Sequence, residues 1–339
     1  MFDFSKNSEG YPVNDITYHG WSSFTRFFSA SSTQNYLKHK YERIALDHAD
    51  QKSYENCYPF LYYLEHGQIY YQQAEKAPLL IRPILLFYGL IHLIKACILT
   101  IDPNYPETTS VLAHGVSARK RKKQNYHFFD DEVKFQKSGL FSFMSEKMFH
   151  MKQTEGEKAS MGDLLNNIPE LEELFLAIDG KPAFMEIKKE QQSFFFPKKI
   201  LDHFHMTESR FIQYYQSKSA IPITAGNCSE HAIELIFSDH DREPSPLKFH
   251  YEKGALFLPL SKSAVCYFPE LLIHYLLLYN LSMIARYETE WWSELIKMMP
   301  NKDFPFIHSF LNITMKKSPF LAHRFLVNNH LRPVEKRQF

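Results

Sequence analysis

The stretch from Phe268 to Trp292, FPELLIHYLLLYNLSMIARYETEWW, constrains the fold more than any other part of the sequence. Apolar residues cover most of the circumference of its first turns, which is typical of a helix buried on all sides. The stretch then ends in a polar and aromatic run that begins at Arg286. Since such a helix must be covered by other elements, we expect the rest of the chain to pack around it.

A second apolar stretch, Ala77 to Ile101, predicts another core helix. Pro78 and Pro83 lie in or near its first turn, where the missing N–H groups cost little. Both stretches contain charged or polar residues, and a charge near the centre of a bilayer costs roughly 2.5–3.5 kcal/mol. We therefore expect helices of a soluble protein and no membrane span; the polar residues are Arg82, His92, Lys95, Glu270, His274 and Asn280.

Composition and charge narrow the class of protein. A hydrophobic fraction of 45% is ample for a sizeable core, whereas the net charge of +1 gives no global attraction to nucleic acid or to an anionic membrane. The four Cys residues contain no CxxC pair, which favours reduced thiols. The N-terminus lacks the pattern of a secretion signal, so we expect a cytoplasmic protein.

The order of the elements predicts an α+β fold that is predominantly α-helical. Two buried helices, at about 78–101 and 268–286, form its core, and a small β-containing segment at about 181–260 lies between helical regions. We expect an N-terminal helical region at 1–178, a mixed segment at 179–262, and a C-terminal helical region at 263–339 that packs on the first. These regions are also compatible with one single domain.

Local signals predict several element ends. A helix begins near Ser31 and runs to about His48, and the next helical region, Ser53 to about Lys76, bends or restarts at Pro59. The clearest hairpin is Leu247 to Leu260. Two separate helices, at 303–316 and 318–331, complete the chain.

Several separated motifs resemble the YaaC-like family of bacterial proteins. They are the run PLLIRPILLFYGLIHLIKACIL at 78–99, His114-Gly115-Val116-Ser117, Gly139-Leu140-Phe141, the run that ends in Trp292, and the segments at 303–305 and 317–321. The resemblance implies no catalytic residue. The family's association with IMP dehydrogenase implies a link to purine metabolism and makes that enzyme a hypothetical partner.

The helix at 78–99 also resembles helices of HEPN-type domains, which often bind or cut RNA. Their active motif is an Arg followed about four to six residues later by a His within a helix. With seventeen His in the chain, about two such pairs arise by chance. The pairs here are Arg43/His48, Arg121/His127 and Arg324/His330, and the first and last fall on predicted helices.

The two apolar helices carry the residues of a hypothetical anion site. In one interpretation Arg286 caps the carbonyls at the end of its helix or pairs with Glu288 or Glu290. In the other, Arg82, His92 and Arg286 converge, and the guanidinium groups bind phosphate or carboxylate. The sequence leaves open whether these residues meet in space.

The basic run Arg119, Lys120, Arg121, Lys122 and Lys123 is a further hypothetical contact for nucleic acid. Acidic residues follow it at 130–132, so the local positive charge is balanced. This pattern is more typical of a solvated loop, and nucleic-acid binding is not favoured.

Two local clusters have the residue types of a metal site. One is His203-x-His205, whose two His share a face on a strand; the other is Glu230-His231-x-x-Glu234, in which His231 and Glu234 share a face on a helix. In either case a third ligand must come from elsewhere, and Asp239 and His240 are the candidates. Because seventeen His are present, such clusters arise easily. We predict no metal and no cofactor.

The sequence contains no Walker loop, dinucleotide-binding fingerprint, HExxH motif or nucleophile elbow. The first hypothesis is therefore a cytoplasmic, non-enzymatic regulatory factor that binds a protein partner. The alternatives are a HEPN-like RNA-binding protein or ribonuclease, and a nucleotide or metabolite sensor with an Arg-lined anion site.

Overall fold

The computed structural model describes residues 18–118, 126–219, 221–227, 229–238 and 245–328. As the sequence predicts, the fold is α+β and predominantly helical. The described residues form two compact units. We call residues 162–273 the middle unit, and residues 18–161 with 274–328 the two-segment unit.

The unit borders differ from the predicted ones at 178/179 and 262/263. The reason on the N-terminal side is that residues just after 162 are tied to the β-hairpin of the middle unit. The Glu170 carboxylate accepts a hydrogen bond from the Tyr251 backbone N–H at 2.8 Å, and Glu172 pairs with Lys253 at 3.2 Å. These contacts join an acidic helical segment to a sheet that follows it in sequence.

Eleven α-helices lie within the described residues. They are α1 (Ala30–Arg43), α2 (Ala49–Lys76), α3 (Arg82–Leu99), α4 (Leu140–Phe149), α5 (Met161–Leu165), α6 (Glu172–Asp179), α7 (Lys199–Phe204), α8 (Glu208–Lys218), α9 (Glu270–Tyr287), α10 (Thr289–Met298) and α11 (Asp303–Val327).

The nine strands of the described residues form two antiparallel sheets. They are β1 (Val116–Ala118), β2 (Glu132–Phe135), β3 (Lys158–Ser160), β4 (Phe184–Glu190), β5 (Ser193–Pro197), β6 (Ile223–Ala225), β7 (Ala232–Phe237), β8 (Lys248–His250) and β9 (Ala255–Pro259). The two-segment unit holds the sheet β1-β2-β3, and the middle unit holds β6-β7-β5-β4-β9-β8. The predicted hairpin is β8–β9, in which Phe249 faces Leu256.

The two predicted core helices are α3 and α9, and both are largely buried. With a mean hydropathy of 1.6, α3 is the one helix among the described residues that is long and apolar enough to cross a membrane. Since 67% of its residues are buried within the protein, it also fits the core helix of a soluble protein.

Two predicted helix ends are wrong, those at His48 and between 316 and 318, and of the bend or restart predicted at Pro59 the restart does not occur. The first helix does not reach His48: α1 ends at Arg43, and Ala45 and His48 have left-handed φ values of 54° and 59°. Conversely, α2 passes through Pro59 and α11 passes through Pro319 without a break. Packing explains this continuity, because the apolar residues that follow each proline are buried and offset the lost hydrogen bond.

A close approach of α2 and α3 depends on two glycines. A Cβ atom on Gly89 of α3 would lie 2.7 Å from Cδ2 of Tyr71, and one on Gly67 of α2 would lie 2.9 Å from Cδ2 of Leu93. These distances are too short for real carbon atoms, so larger residues would push the helices apart. The glycines therefore set the spacing at which the side chains of α2 and α3 meet.

We expect Gly89→Ala to destabilise the protein. Ala inside a helix normally gains about 1 kcal/mol over Gly, but the buried Tyr71 ring is 2% exposed and cannot yield, so overpacking should cost about 1–3 kcal/mol. Urea unfolding measures the change. Gly67→Ala should lose less free energy of unfolding, because its new methyl group meets the flexible end of the Leu93 side chain. A Gly89→Ala protein as stable as the wild type would contradict the close approach of the two helices at this position.

A chain of hydrogen-bonded side chains crosses the apolar core of the two-segment unit. The Tyr71 and Ser318 hydroxyls are 2.5 Å apart, the Thr314 hydroxyl lies 3.3 Å from Ser318 Oγ, and its oxygen lies 2.8 Å from Nδ1 of His274. Burial of His274 lowers its pKa well below the ordinary value, and nearby Lys317 adds to this effect. The network joins α2, α9 and α11 at defined positions.

The double variant Tyr71→Phe/Ser318→Ala should lose less free energy of unfolding than the sum of the losses in the two single variants. Tyr71→Phe and Ser318→Ala each leave a buried partner, at about 1–3 kcal/mol. A double-mutant cycle by urea unfolding should give a coupling energy of at least about 0.5 kcal/mol. The control pair is Tyr71→Phe with Tyr41→Phe, because the Tyr41 hydroxyl donates to the Leu99 carbonyl and not to the network. The losses of the control pair should add. If the losses of the Tyr71/Ser318 pair also add, the network is refuted.

Candidate functional site

A row of near-parallel rings lies where α2 meets α3. The Tyr70 ring of α2 stacks on Tyr88 at 6.1 Å and on His92 at 5.6 Å, both from α3. The His66 ring meets His92 edge-on at 5.2 Å. Tyr88, His92 and Lys95 share one face of α3 because they are spaced four and three residues apart. Each of these three is partly exposed, so the row is accessible to a ligand.

Arg286, near the end of α9, reaches this row of rings. Its Nε donates to the Ser282 carbonyl at 3.2 Å, which is the predicted capping contact. Its terminal nitrogens lie 3.4 Å from the Tyr88 hydroxyl and 3.0 Å from the Met283 sulfur. A phenol at that distance and a thioether are weak acceptors, so most of the hydrogen-bonding capacity of the guanidinium group is unused.

His114 lies in the loop before β1 and borders the same rings. Its imidazole is 5.1 Å from the Phe87 ring, 6.5 Å from Tyr88 and 5.6 Å from Tyr279 of α9. The loop is held by the Tyr275 hydroxyl, which donates to the His114 carbonyl at 2.8 Å.

Two glycines beside His114 fix the path of this loop. Gly115 has φ 76°, and a Cβ on Gly139 would lie 2.3 Å from the Gly115 nitrogen. The backbones therefore touch at this point, and only glycine fits. This contact gives a structural reason for the His114-Gly115 and Gly139 motifs of the sequence.

We call this group of side chains the aromatic–cationic cluster. Lys95 adds a second cation, with its Nζ 5.6 Å from the centre of the Tyr63 ring. All members belong to the two-segment unit: Tyr63, His66, Tyr70, Tyr88, His92, Lys95, His114, Tyr279 and Arg286.

The electrostatics of the cluster keep its partly buried imidazoles neutral. Burial, with Lys95 and His66 nearby, lowers the pKa of His92 to about 4. Burial, with Arg286 and Lys95 nearby, also lowers the pKa of His114. Burial lowers the pKa of Lys95 as well. Because Arg stays protonated in proteins, the cluster carries fixed positive charge beside two neutral bases.

The two cations have no ion-pair partner within the part of the chain that the structure describes. Neither Arg286 nor Lys95 belongs to any of its ion pairs. Nδ1 of His92 is buried and has no hydrogen-bond partner. Unused donors and an uncompensated cation, together with accessible rings, are the features of a site for an aromatic anion.

Of the predicted anion site, Arg286 and His92 both border the row of rings, through Tyr88 and Tyr70 respectively, whereas Arg82 makes its contacts elsewhere. The Arg82 guanidinium donates to the Ala77 carbonyl at 3.1 Å and contacts Asn312 Oδ1 at 3.4 Å. Its Cα lies about 9 Å along α3 from Tyr88. Arg82 therefore joins α3 to neighbouring segments and is not a member of the cluster.

Neither Glu288 nor Glu290 forms an ion pair with the Arg286 guanidinium. The charge of Glu288 instead acts on Tyr126, whose ring contacts Trp291 at 4.7 Å. Glu290 is exposed in the first turn of α10. Of the adjacent Trp291 and Trp292, the second is a core residue, and its indole N–H donates to the Leu80 carbonyl.

The structure places the Arg/His pairs as follows. Arg43 is the last residue of α1 and His48 precedes α2, so this pair flanks a turn and does not lie within one helix. Arg324 lies on α11, 5.4 Å from the centre of the Phe320 ring. His330, Arg121 and the rest of the basic run at 119–123 lie outside the described residues.

Two of the hypothetical metal ligands, His203 and Glu234, make other contacts. His203 Nε2 lies 2.9 Å from the Leu260 carbonyl oxygen, and His205 follows the end of α7. The Glu234 carboxylate accepts hydrogen bonds from Ser193 and from the Asn227 N–H. Among the described residues, no three His, Cys, Asp or Glu side chains are grouped so that they could hold a metal ion; Asp239 and His240 lie outside them.

We expect acid to destabilise the protein partly through His92. Its pKa in the folded protein, about 4, is below the ordinary 6.5. Its contribution to stability is therefore present above pH 6.5 and is lost as the pH falls towards 4. Urea midpoints from pH 7 to 4.5 should fall less steeply for His92→Gln than for wild type. His308→Gln, at an exposed position of α11, is the control; equal slopes for wild type and His92→Gln would contradict this.

Comparison with protein families identifies the family of the chain. A family model described as YaaC-like protein matches residues 25–326, nearly the whole chain. The matched range includes all the residues of the aromatic–cationic cluster. No curated protein and no solved structure matches the chain.

Proposed function

The chain belongs to the YaaC-like family, and we propose that it is a non-enzymatic sensor that binds a small planar anion, such as a nucleotide, at the aromatic–cationic cluster. The observation that carries the proposal is the convergence of Arg286, Lys95, His92 and His114 on one group of rings without an ion pair to a carboxylate among the described residues.

The charge of the cluster favours an anionic ligand. A cation that is partly removed from water lacks both its hydration and a counter-charge, unless a partner supplies them. The guanidinium of Arg286 is planar and presents its donors as a fork, which matches phosphate or carboxylate oxygens. A bound anion would therefore provide the strong acceptors that Arg286 lacks in the free protein.

The rings favour a ligand that is also aromatic. Tyr70, Tyr88 and His92 form the stacked row, and each is partly exposed. A nucleobase stacked on such a ring gains about 1–3 kcal/mol, and this gain does not depend on base identity. One ligand that combines a planar ring with an anionic group would use both features of the cluster.

The side chains around the imidazoles favour binding without a chemical step. Nucleophilic catalysis needs a hydroxyl, thiol or amine hydrogen-bonded to a base. Within the described residues, neither the His92 nor the His114 imidazole has a hydrogen bond with such a group. The proposal therefore keeps the predicted non-enzymatic character and places the ligand, not a reaction, at the centre of the function.

A second function, binding of a protein partner, is favoured by an exposed face of α2. Tyr54, Tyr58 and Tyr62 are spaced four residues apart and are 67%, 53% and 55% exposed. Tyr is common at protein interfaces because it offers a large, stiff contact area with one polar end. IMP dehydrogenase remains a hypothetical partner.

The proposed ligand site is tested by thermal unfolding in the presence of nucleotides and other aromatic anions. A ligand at 100 times its dissociation constant adds about 2.7 kcal/mol, which raises the melting temperature measurably. Arg286→Ala should weaken binding about tenfold or more, because a hydrogen bond to a charged group contributes about 1.5–3 kcal/mol.

The matched control is Arg26→Ala, which removes an exposed arginine that lies over Phe27 at 5.6 Å. This variant has the same change of charge and the same loss of a cation–π contact, outside the cluster, and should bind as the wild type does. The proposal fails if none of the anions stabilises the wild type, or if Arg286→Ala binds them unchanged.

A further inference from the structure

We infer that the anionic group taken by the aromatic–cationic cluster is a phosphomonoester, as in a nucleoside monophosphate, and that the protein takes up a proton when it binds. The inference rests on the proposed function and specifies the ligand and the pH dependence of that same site. Three observations support it: the position of the two cations, the lack of an ion pair between either cation and a carboxylate among the described residues, and the two neutral imidazoles.

The cations approach His114 from two different helices. Arg286 comes from α9 and Lys95 from α3, and both act electrostatically on the His114 imidazole. His92 lies one turn from Lys95 on α3 and is influenced by the same lysine. Arg286 contacts Tyr88, His92 and His114 each lie against a ring of the same row, and Lys95 lies over the neighbouring Tyr63 ring.

The charge of this region matches a phosphomonoester better than a carboxylate. A phosphomonoester carries about −1.5 to −2 charges at neutral pH and has three acceptor oxygens. Arg286 and Lys95 supply two positive charges, and neither forms an ion pair with an acid in the described chain. A carboxylate has one charge and two oxygens, so it would leave positive charge and donors unmatched.

The groups that face the His92 and His114 imidazoles explain why ligand binding should be coupled to the uptake of a proton. From α2, His92 meets Tyr63, His66 and Tyr70, and on its own helix it meets Lys95. His114 meets Phe87 and Tyr88 of α3, Tyr279 and Arg286 of α9, and Lys95 at longer range.

All the charged groups among these neighbours are cations or can become cations. They favour the neutral imidazole in the free protein, and a bound dianion reverses this field. The bound state then holds more protons than the free state. By linkage, affinity must rise as the pH falls from 8 towards 6.5, by at most about tenfold per pH unit for each proton taken up. Below about pH 6 the phosphomonoester is itself protonated, which ends the rise.

The test is titration calorimetry of the full-length protein with adenosine 5′-monophosphate and adenosine, and with uridine 5′-monophosphate and uridine. At least one monophosphate should bind at least about tenfold more tightly than its nucleoside. Repeating the titration at pH 7.5 in buffers with different ionisation enthalpies gives the number of protons exchanged per ligand bound. We expect the protein to take up protons, and the number should lie between zero and one.

Two histidine variants distinguish a loss of proton uptake from a loss of folded structure. His114→Gln keeps the size and polarity of the side chain but cannot be protonated, so both the number of protons taken up and the rise in affinity between pH 8 and pH 6.5 should become smaller. His308→Gln, outside the cluster, should bind with the uptake of the wild type. Circular dichroism of each variant verifies that it is folded.

The outcomes distinguish this inference from the proposed function. If each nucleoside binds as tightly as its monophosphate, the phosphomonoester inference is wrong. The proposal of an anionic ligand then loses its support as well, and only the binding of an aromatic ring by the cluster remains. If the monophosphate binds more tightly but no proton is taken up, the ligand class stands and the coupling is wrong. If none of the four compounds binds, and no aromatic anion stabilises the protein, both the inference and the proposed function are wrong.

Discussion

The close packing of α2 against α3 is the constraint on which the candidate site depends. At Gly67 and Gly89 each helix approaches the other to a distance that a Cβ atom would not allow. This spacing brings Tyr70 of α2 onto Tyr88 and His92 of α3 at 5.6–6.1 Å. The same contact that fills the core of the two-segment unit therefore sets the geometry of the rings at its accessible edge.

The two cations give the cluster its chemical character. Arg286 and Lys95 lie over aromatic rings. Three acidic groups, Asp131, Asp303 and Glu288, act electrostatically on Tyr126, which is not a member of the cluster. Aromatic faces are partially negative and hold a cation without neutralising it. The two cations therefore remain available to an anionic ligand, and the adjacent imidazoles respond to the charge that the ligand brings.

Much of the fold could be predicted from the sequence because its two central helices are apolar on nearly all sides. The predicted stretches at 78–101 and 268–286 correspond to α3 and α9, and the predicted hairpin corresponds to β8–β9. The helices that contain Pro59 and Pro319 were beyond such a prediction. Local rules favour a break at each proline, whereas burial of residues such as Phe60 and Ala322 keeps the helices continuous.

The candidate site could be predicted only in part, since its residues come from distant segments. Arg286 and His92 could be selected as polar residues on apolar helices, but nothing in the sequence showed that Arg82 is held by Ala77 and Asn312. Tyr63, His66, Tyr70, His114 and Tyr279 were missed. One signal was present: Tyr88, His92 and Lys95 form a polar stripe with helical spacing on α3, and such a stripe on a core helix indicates an accessible edge.

The most direct test of this account is a crystal structure of the protein with 8-bromoadenosine 5′-monophosphate, with the bromine located by its anomalous scattering. The account predicts that the bromine marks a base stacked beside Tyr70 and Tyr88, with the phosphate oxygens within hydrogen-bonding distance of Arg286. A nucleotide bound elsewhere on the chain, or an Arg286 guanidinium paired with a carboxylate of the protein, would contradict it.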